Sequence, residues 1–424
     1  MNAASKSHLP SVALALVLAM GTTAFTAPAQ AAASAAAGAT AAPVKLTVSK
    51  PLQKPLQGVQ NAMNDKKWDE ALAKLKEIEA NPAKTPYDTF VMHQFLAYTL
   101  RMLGQAAASI PSFEAQIESG FLAPEESERL TKGVAQLYYQ EKDYAKASQA
   151  GRKFLAGGKI DDDIYTLVAQ AEYLQKNYAE VIKLLQSFIS TLESRGQVPK
   201  EPSLALYSDS FLRLKDNAGA IRALELQVKY YPKRENWANL LSMVRGETSA
   251  DIVLFNLYRL MGDTETLTAA NDINETAQLA IKFGLPGEAL SVIQRGMAAN
   301  AFSTTSEKAA AERQLQTGKT LADADRAGLA KFEAEAKAAK TGEGDVRLGQ
   351  ALLSYDQYDK ALEAIQRGIA KGSLRNADEA QILLGITLLR LNRKPDAVAA
   401  FNGTKGTDAK LSSVAHLWAL HAGS

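Results

Sequence analysis

Apolar residues recur along this chain at helical spacing, in short runs broken by tight polar turns. Residues 128–189 write the pattern twice. Ala135, Tyr138, Tyr144, Ala147 and Phe154 recur 34 residues later as Ala169, Glu172, Tyr178, Val181 and Phe188, the second and fourth pairs more loosely than the others. Glu141-Lys142-Asp143-Tyr144-Ala145 is echoed by Gln175-Lys176-Asn177-Tyr178-Ala179. A fixed period of this length predicts a repeat architecture. In the first copy, 128–140 carries Leu130, Val134, Leu137 and Tyr138, 141–143 is the turn, and 144–155 resumes with Tyr144, Ala147 and Phe154. Each unit is therefore predicted to be two short helices. One such hairpin cannot bury its apolar face alone and needs a stacked neighbour.

The pattern extends in both directions, giving an N-terminal array over 52–232. Its first unit has Leu56, Val59 and Met63, a turn at 64–67, then Trp68, Ala71, Leu75 and Ile78, and stops at Asn81-Pro82. The second has Phe90, Phe95, Leu96, Leu100 and Leu103, then Gly104, then Ile110, Phe113 and Ile117. Spacing degrades over 233–269, a divergent helical segment, and recovers in a hairpin at 270–302 where Pro286 opens a helix. Residues 303–341 are rich in Ala, Lys and Glu, all good helix formers, and predict a solvated helical spacer, with a mobile flap over a ligand as the alternative. A C-terminal pair follows at 342–405, where Gly349 and Ala361 recur 36 residues on as Gly385 and Ala397. Residues 406–424 are read as a capping helix and tail, with Leu411, Val414, Leu417 and Trp418 covering the end of the array.

These positions resemble the tetratricopeptide repeat family. That family keeps a small residue at positions 8 and 20 of each unit and an aromatic near 17, and Ala135, Ala147 and Tyr144 fit, as do Gly349, Ala361 and Tyr358. Small side chains let helices cross closely while large ones fill the gaps. The resemblance implies an all-α, superhelical α-solenoid that holds a protein or peptide on its concave face. The family's groove positions fall on Gln94, Tyr98 and Arg101; on Arg129, Lys132, Gln136, Tyr139 and Gln140; on Gln170 and Tyr173; and on Arg213. The family's carboxylate clamp has Asn where Tyr98, Gln136 and Gln170 stand here, which argues against simple recognition of a chaperone tail.

Charge and composition narrow the reading. The net charge is +2, so no basic field favours nucleic acid. There is no cysteine, so the fold holds without disulfides. Residues 1–31 read as an export signal: Lys6 and His8, an apolar run from Val12 to Met20, then Ala29-Gln30-Ala31. The run is short for a membrane span, and an uncleaved anchor is the alternative to cleavage at the small residues. A flexible leader is expected over 32–51, and the mature chain is expected to be periplasmic or secreted, with no direct membrane span.

The chain carries no coherent constellation of catalytic side chains. His93, His416 and His421 form no metal-ligand spacing. Gly318-Lys319-Thr320 ends like a phosphate loop, but Arg313 stands where its first glycine belongs and no strand precedes it. The carboxylates of 161–163 fit a helix start better than a calcium loop. No catalytic group, cofactor or metal is therefore expected. The sequence predicts a noncatalytic protein- or peptide-binding scaffold of a bacterial envelope, with a self-assembling structural protein as the alternative.

Overall fold

A computed structural model describes residues 46–424. The signal at 1–31 and most of the 32–51 leader lie outside the described residues. Every regular element described is a helix, and the chain divides into two compact units, one ending at Ser194 and the other beginning at Arg195.

Unit 1 pairs α1 (Lys50–Asn64) with α2 (Trp68–Glu79), α3 (Pro86–Met102) with α4 (Ala106–Glu118), α5 (Pro124–Gln140) with α6 (Tyr144–Leu155), and α7 (Asp162–Leu174) with α8 (Tyr178–Ser194). Each hairpin packs on the next in chain order. Packed structure starts before residue 52: Val48 is buried, and the Ser49 amide donates to Asp88 Oδ1 at 2.9 Å, tying the entry of α1 to α3.

Unit 2 opens with α9 (Glu201–Arg213), α10 (Asn217–Tyr230), α11 (Arg234–Gly246) and α12 (Asp251–Asp263), followed by α13 (Ala270–Lys282) and α14 (Pro286–Ala298). The spacer is a single 34-residue helix, α15 (Thr305–Ala338). Its narrow stripe of Ala311, Gly318 and Ala322 is buried, and Gly318 lies against the backbone of Leu290 in α14. A capping box at Thr304 and Glu307 holds its start, while Lys371 Nζ donates to the carbonyls of Ala336 and Lys337 at its end. The array then continues as α16 (Glu343–Ser354), α17 (Tyr358–Lys371), α18 (Ala377–Arg390), α19 (Lys394–Asn402) and α20 (Ala409–Gly423).

Unit 2 does not stay open. Helix α20 packs on α18 and α19, and also on α10 and α12. One apolar core joins Leu224, Trp237, Phe255 and Leu260 to Ile386, Phe401, Leu411 and Trp418. The C-terminal helix therefore covers more than the last hairpin; it closes the unit on itself.

One turn is reused in eight hairpins. A residue with φ between 58° and 74° follows the first helix: Lys66, Gly104, Lys142, Lys176, Lys215, Gly284, Asp356 or Asn392. The next amide donates to the carbonyl five residues back at 2.8–3.0 Å, as Asp143 does to Tyr138. That closure satisfies a last-turn carbonyl and needs a left-handed residue. The small positions act as the repeat pattern implies. Ala135 and Ala147 have no exposed surface, and a Cβ on Gly385 would stand 2.4 Å from the Phe401 ring.

Candidate functional site

In unit 1 the first helices α3 and α5 leave a notch between them. Arg101 comes from α3, Gln136 and Gln140 from α5, and Phe113 of α4, Leu130, Val134 and Leu137 make its apolar wall. Its volume is about 50 Å³. That is room for a water or a short side chain, far below a small-molecule pocket of roughly 300–1,000 Å³. The notch suits one residue of a longer ligand that runs along the surface. Arg101 is exposed and makes no ion pair among the described residues.

The other expected groove residues have more varied surroundings. Tyr98 packs edge-on against Trp68 at 5.9 Å, Tyr139 against Tyr144 at 5.6 Å, and Tyr173 against Tyr178 at 5.2 Å. These rings are partly committed to hairpin packing. Arg129 pairs with Glu126 at 3.4 Å in its own helix. Lys132 Nζ sits 2.6 Å from Asp161 Oδ2 and 3.9 Å from Asp163, which fastens α5 to the start of α7. Asp161 in turn accepts from the amides of Asp163 and Ile164, so the acidic run caps α7. Gln94 and Gln170 are half-buried. Arg213 belongs to the other unit and pairs with Asp209 at 3.2 Å.

Between α6 and α7 lies a buried polar knot. Glu172 accepts from Ser148 Oγ at 2.5 Å, Arg152 at 3.0 Å and Asn177 at 2.8 Å. Burial alone would raise its pKa; the hydrogen bonds and the Arg152 charge outweigh burial and hold it below the usual glutamate range. This knot holds the repeat together and offers no site.

The turns, the close helix crossings and the ordered hairpins of unit 1 decide the architecture. The fold is a tetratricopeptide-like α-solenoid. No family model and no curated protein sequence matches the chain. Similar solved structures include the TPR2AB-domain:pHSP90 complex of yeast Sti1, at 12% identity and TM-score 0.26, covering 71% of this chain and 100% of that one. A tetratricopeptide repeat protein from Parabacteroides merdae has 12% identity and TM-score 0.32, covering 71% of this chain and 99% of that one. The C-terminal part of a repeat-containing protein from Cytophaga hutchinsonii has 12% identity and TM-score 0.32, covering 62% and 94%. The tetratricopeptide-like assignment rests on the hairpins themselves.

Unit 2 holds a second feature that the repeat pattern does not announce. Where α12 and α14 face the ends of α16 and α18, a cleft of about 270 Å³ is lined by Arg259, Asp263, Glu288, Arg295, Tyr358 and Arg390, among others. Arg259 grips Glu288 with two hydrogen bonds, 2.7 and 2.6 Å, and stacks over Phe255 at 4.1 Å. Arg390 forks onto both oxygens of Asp263, one contact at 3.0 Å, and His421 Nε2 stands 3.5 Å from the same carboxylate. These residues span 132 positions of sequence, so no local spacing marks them. Among the described residues no cluster of three His, Asp or Glu side chains is placed to hold a metal, and no helix is long and apolar enough to cross a membrane.

Proposed function

We propose that this tetratricopeptide-like protein is a noncatalytic scaffold that holds an extended protein segment on the first-helix face of unit 1. The observation that carries this reading is the notch between α3 and α5. Two amides, Gln136 and Gln140, stand beside the unpaired guanidinium of Arg101 and an apolar wall. Amide side chains can both donate to and accept from a peptide backbone, and a guanidinium binds a carboxylate or carbonyl through a planar fork. A short side chain then fills the notch.

The N-terminal export pattern supports a place in the bacterial envelope, periplasmic or secreted, where such a scaffold would organise an assembly. The test is a photo-crosslinking residue at Gln136, in cells, with and without Arg101→Glu. A captured protein that is lost in the Arg101→Glu background supports the reading. Crosslinks only between copies of this chain would replace it with self-assembly. Capture unchanged by Arg101→Glu would refute the role of the notch.

A further inference from the structure

Unit 1 holds a groove with an acidic wall and a basic wall that do not meet. We infer that it binds a short zwitterionic peptide, a di- or tripeptide with free ends, its ammonium on the α4 wall and its carboxylate on the α6 wall. This groove shares only Val134 with the notch between α3 and α5, and it stands whether or not that notch holds a protein segment.

The floor of the groove is α5 and its walls are the second helices on either side. Both α4 and α6 pack on α5 but not on one another, which leaves a space of about 280 Å³ between them. Charge is sorted by wall. Glu114 and Glu118, one turn apart, come from α4, while Lys146 and Lys153, two turns apart, come from α6. Among the described residues no ion pair crosses from one wall to the other.

The acidic wall is held from the floor. The Tyr138 hydroxyl donates to Glu114 Oε1 at 2.7 Å; burial and then that bond push the pKa of the phenol up, so it stays a donor. On the basic wall, Lys146 Nζ stands 5.2 Å from the centre of the Tyr138 ring and 3.5 Å from Asp143 Oδ2. Glu118 and Lys153 make no hydrogen bond or ion pair among the described residues. Even with Asp143 offsetting Lys146, the α6 wall keeps the charge of Lys153, and the α4 wall keeps both of its carboxylates.

That segregation selects the ligand. A lone anion would face Glu114 and Glu118 across the space, and a lone cation would leave Lys153 unmet. A molecule with one charge of each sign at its two ends meets both walls. Its length follows from the helices. The axes of α4 and α6 stand further apart than the roughly 8–10 Å of packed helices, too far for a free amino acid, whose charges share one carbon. Two or three extended residues span up to about 7–11 Å. Ile117, Val134 and Ala150 give one side chain an apolar seat, and Gln149 can donate to and accept from a peptide bond. The volume lies just under that of small-ligand pockets, roughly 300–1,000 Å³, so a folded partner does not enter.

The experiment is calorimetry on the full chain with alanyl-leucine, its N-acetyl form and its C-terminal amide. Alanyl-leucine should bind, and removing either end charge should weaken it by a factor of about ten. Free leucine should bind at least about ten times more weakly as well. Glu114→Gln keeps an acceptor for Tyr138 and removes the charge, so it should weaken alanyl-leucine and the amide and spare the N-acetyl form. Lys153→Gln should weaken alanyl-leucine and the N-acetyl form and spare the amide. If Glu114→Gln lowers the melting temperature, Glu118→Gln, which breaks no internal contact, carries the same comparison. Arg101→Glu, in the notch, should leave alanyl-leucine binding unchanged, so this groove and the notch fail separately. No heat with millimolar alanyl-leucine overturns the inference, as does equal binding of the amide, which marks a cation site, or of the N-acetyl form, which marks an anion site. Loss of alanyl-leucine binding in Arg101→Glu places the peptide in the notch and overturns it too.

Discussion

The indole N–H of Trp418 donates to the backbone carbonyl of Asn256 at 3.3 Å, joining residues 162 positions apart. Trp418 has no exposed surface, stacks against Phe401 at 5.7 Å, and lies beside His421. Its donor fills an acceptor inside the closed core of unit 2, and its ring fills the space between α12 and α19. Trp418→Ala should lower stability by about 3–5 kcal/mol, the cost of emptying a large aromatic site. Trp418→Phe should recover part of that, since it keeps a ring and loses the donor. Chemical denaturation of both variants checks the order; equal loss in the two would mean that packing contributes nothing there.

Asp263 gives unit 2 an acid-sensitive lock. Burial raises its pKa, but hydrogen bonds from His421 and Arg390 and their charges outweigh burial and bring it from 3.8 to about 2. The unfolded chain then takes up this proton before the folded one does. The stabilisation is complete above the ordinary aspartate value and is lost as pH falls from 3.8 through about 2. It amounts to about 2 kcal/mol. Melting temperature against pH should therefore fall more steeply over that window in the natural chain than in Asp263→Asn. Parallel curves would remove Asp263 from the account.

Two of the cations nominated for the groove, Lys132 and Arg101, should behave differently. Lys132→Glu places a carboxylate against Asp161 and Asp163, so it should destabilise unit 1 by about 1–2 kcal/mol, reflecting a lost pair and new repulsion partly screened by solvent. Arg101→Glu breaks no internal pair and should leave stability within about 0.5 kcal/mol. Urea titration of each single variant separates a structural cation from a surface one.

The shared turn predicts a backbone effect with no contact term. Gly284 has φ +74° and nothing within 4 Å of a built Cβ. Gly284→Ala should cost about 1 kcal/mol from left-handed strain alone. Lys142, at φ +62°, already carries that strain, so Lys142→Gly should be neutral or stabilising by up to about 1 kcal/mol. Thermal denaturation of the pair tests the shared geometry; a stabilising Gly284→Ala would contradict it.

Much of the architecture was legible before any coordinates. The hairpins of unit 1 follow from apolar residues on one helix face, a turn, and a small residue where helices cross. Ala135 with Ala147, and Gly385 opposite Phe401, are local features that repeat, so periodicity exposes them. The groove residues were less legible. Helical spacing nominates a face, and Arg101, Gln136 and Gln140 do share a notch, but Lys132 is drawn into an ion pair that spacing cannot show. Two residues on one face differ in role only through what the next hairpin presents to them.

The sequence by itself determined the all-helical class, the hairpin unit and its turn, because each is written within one period of the chain. Only tertiary structure decided how unit 2 closes and which of its charges pair. Trp418 reaches Asn256, and Arg390 reaches Asp263, across more than a hundred residues. Contacts that far apart depend on the summed curvature of every hairpin between them. A repeat pattern fixes each step, and their accumulated geometry fixes what finally meets.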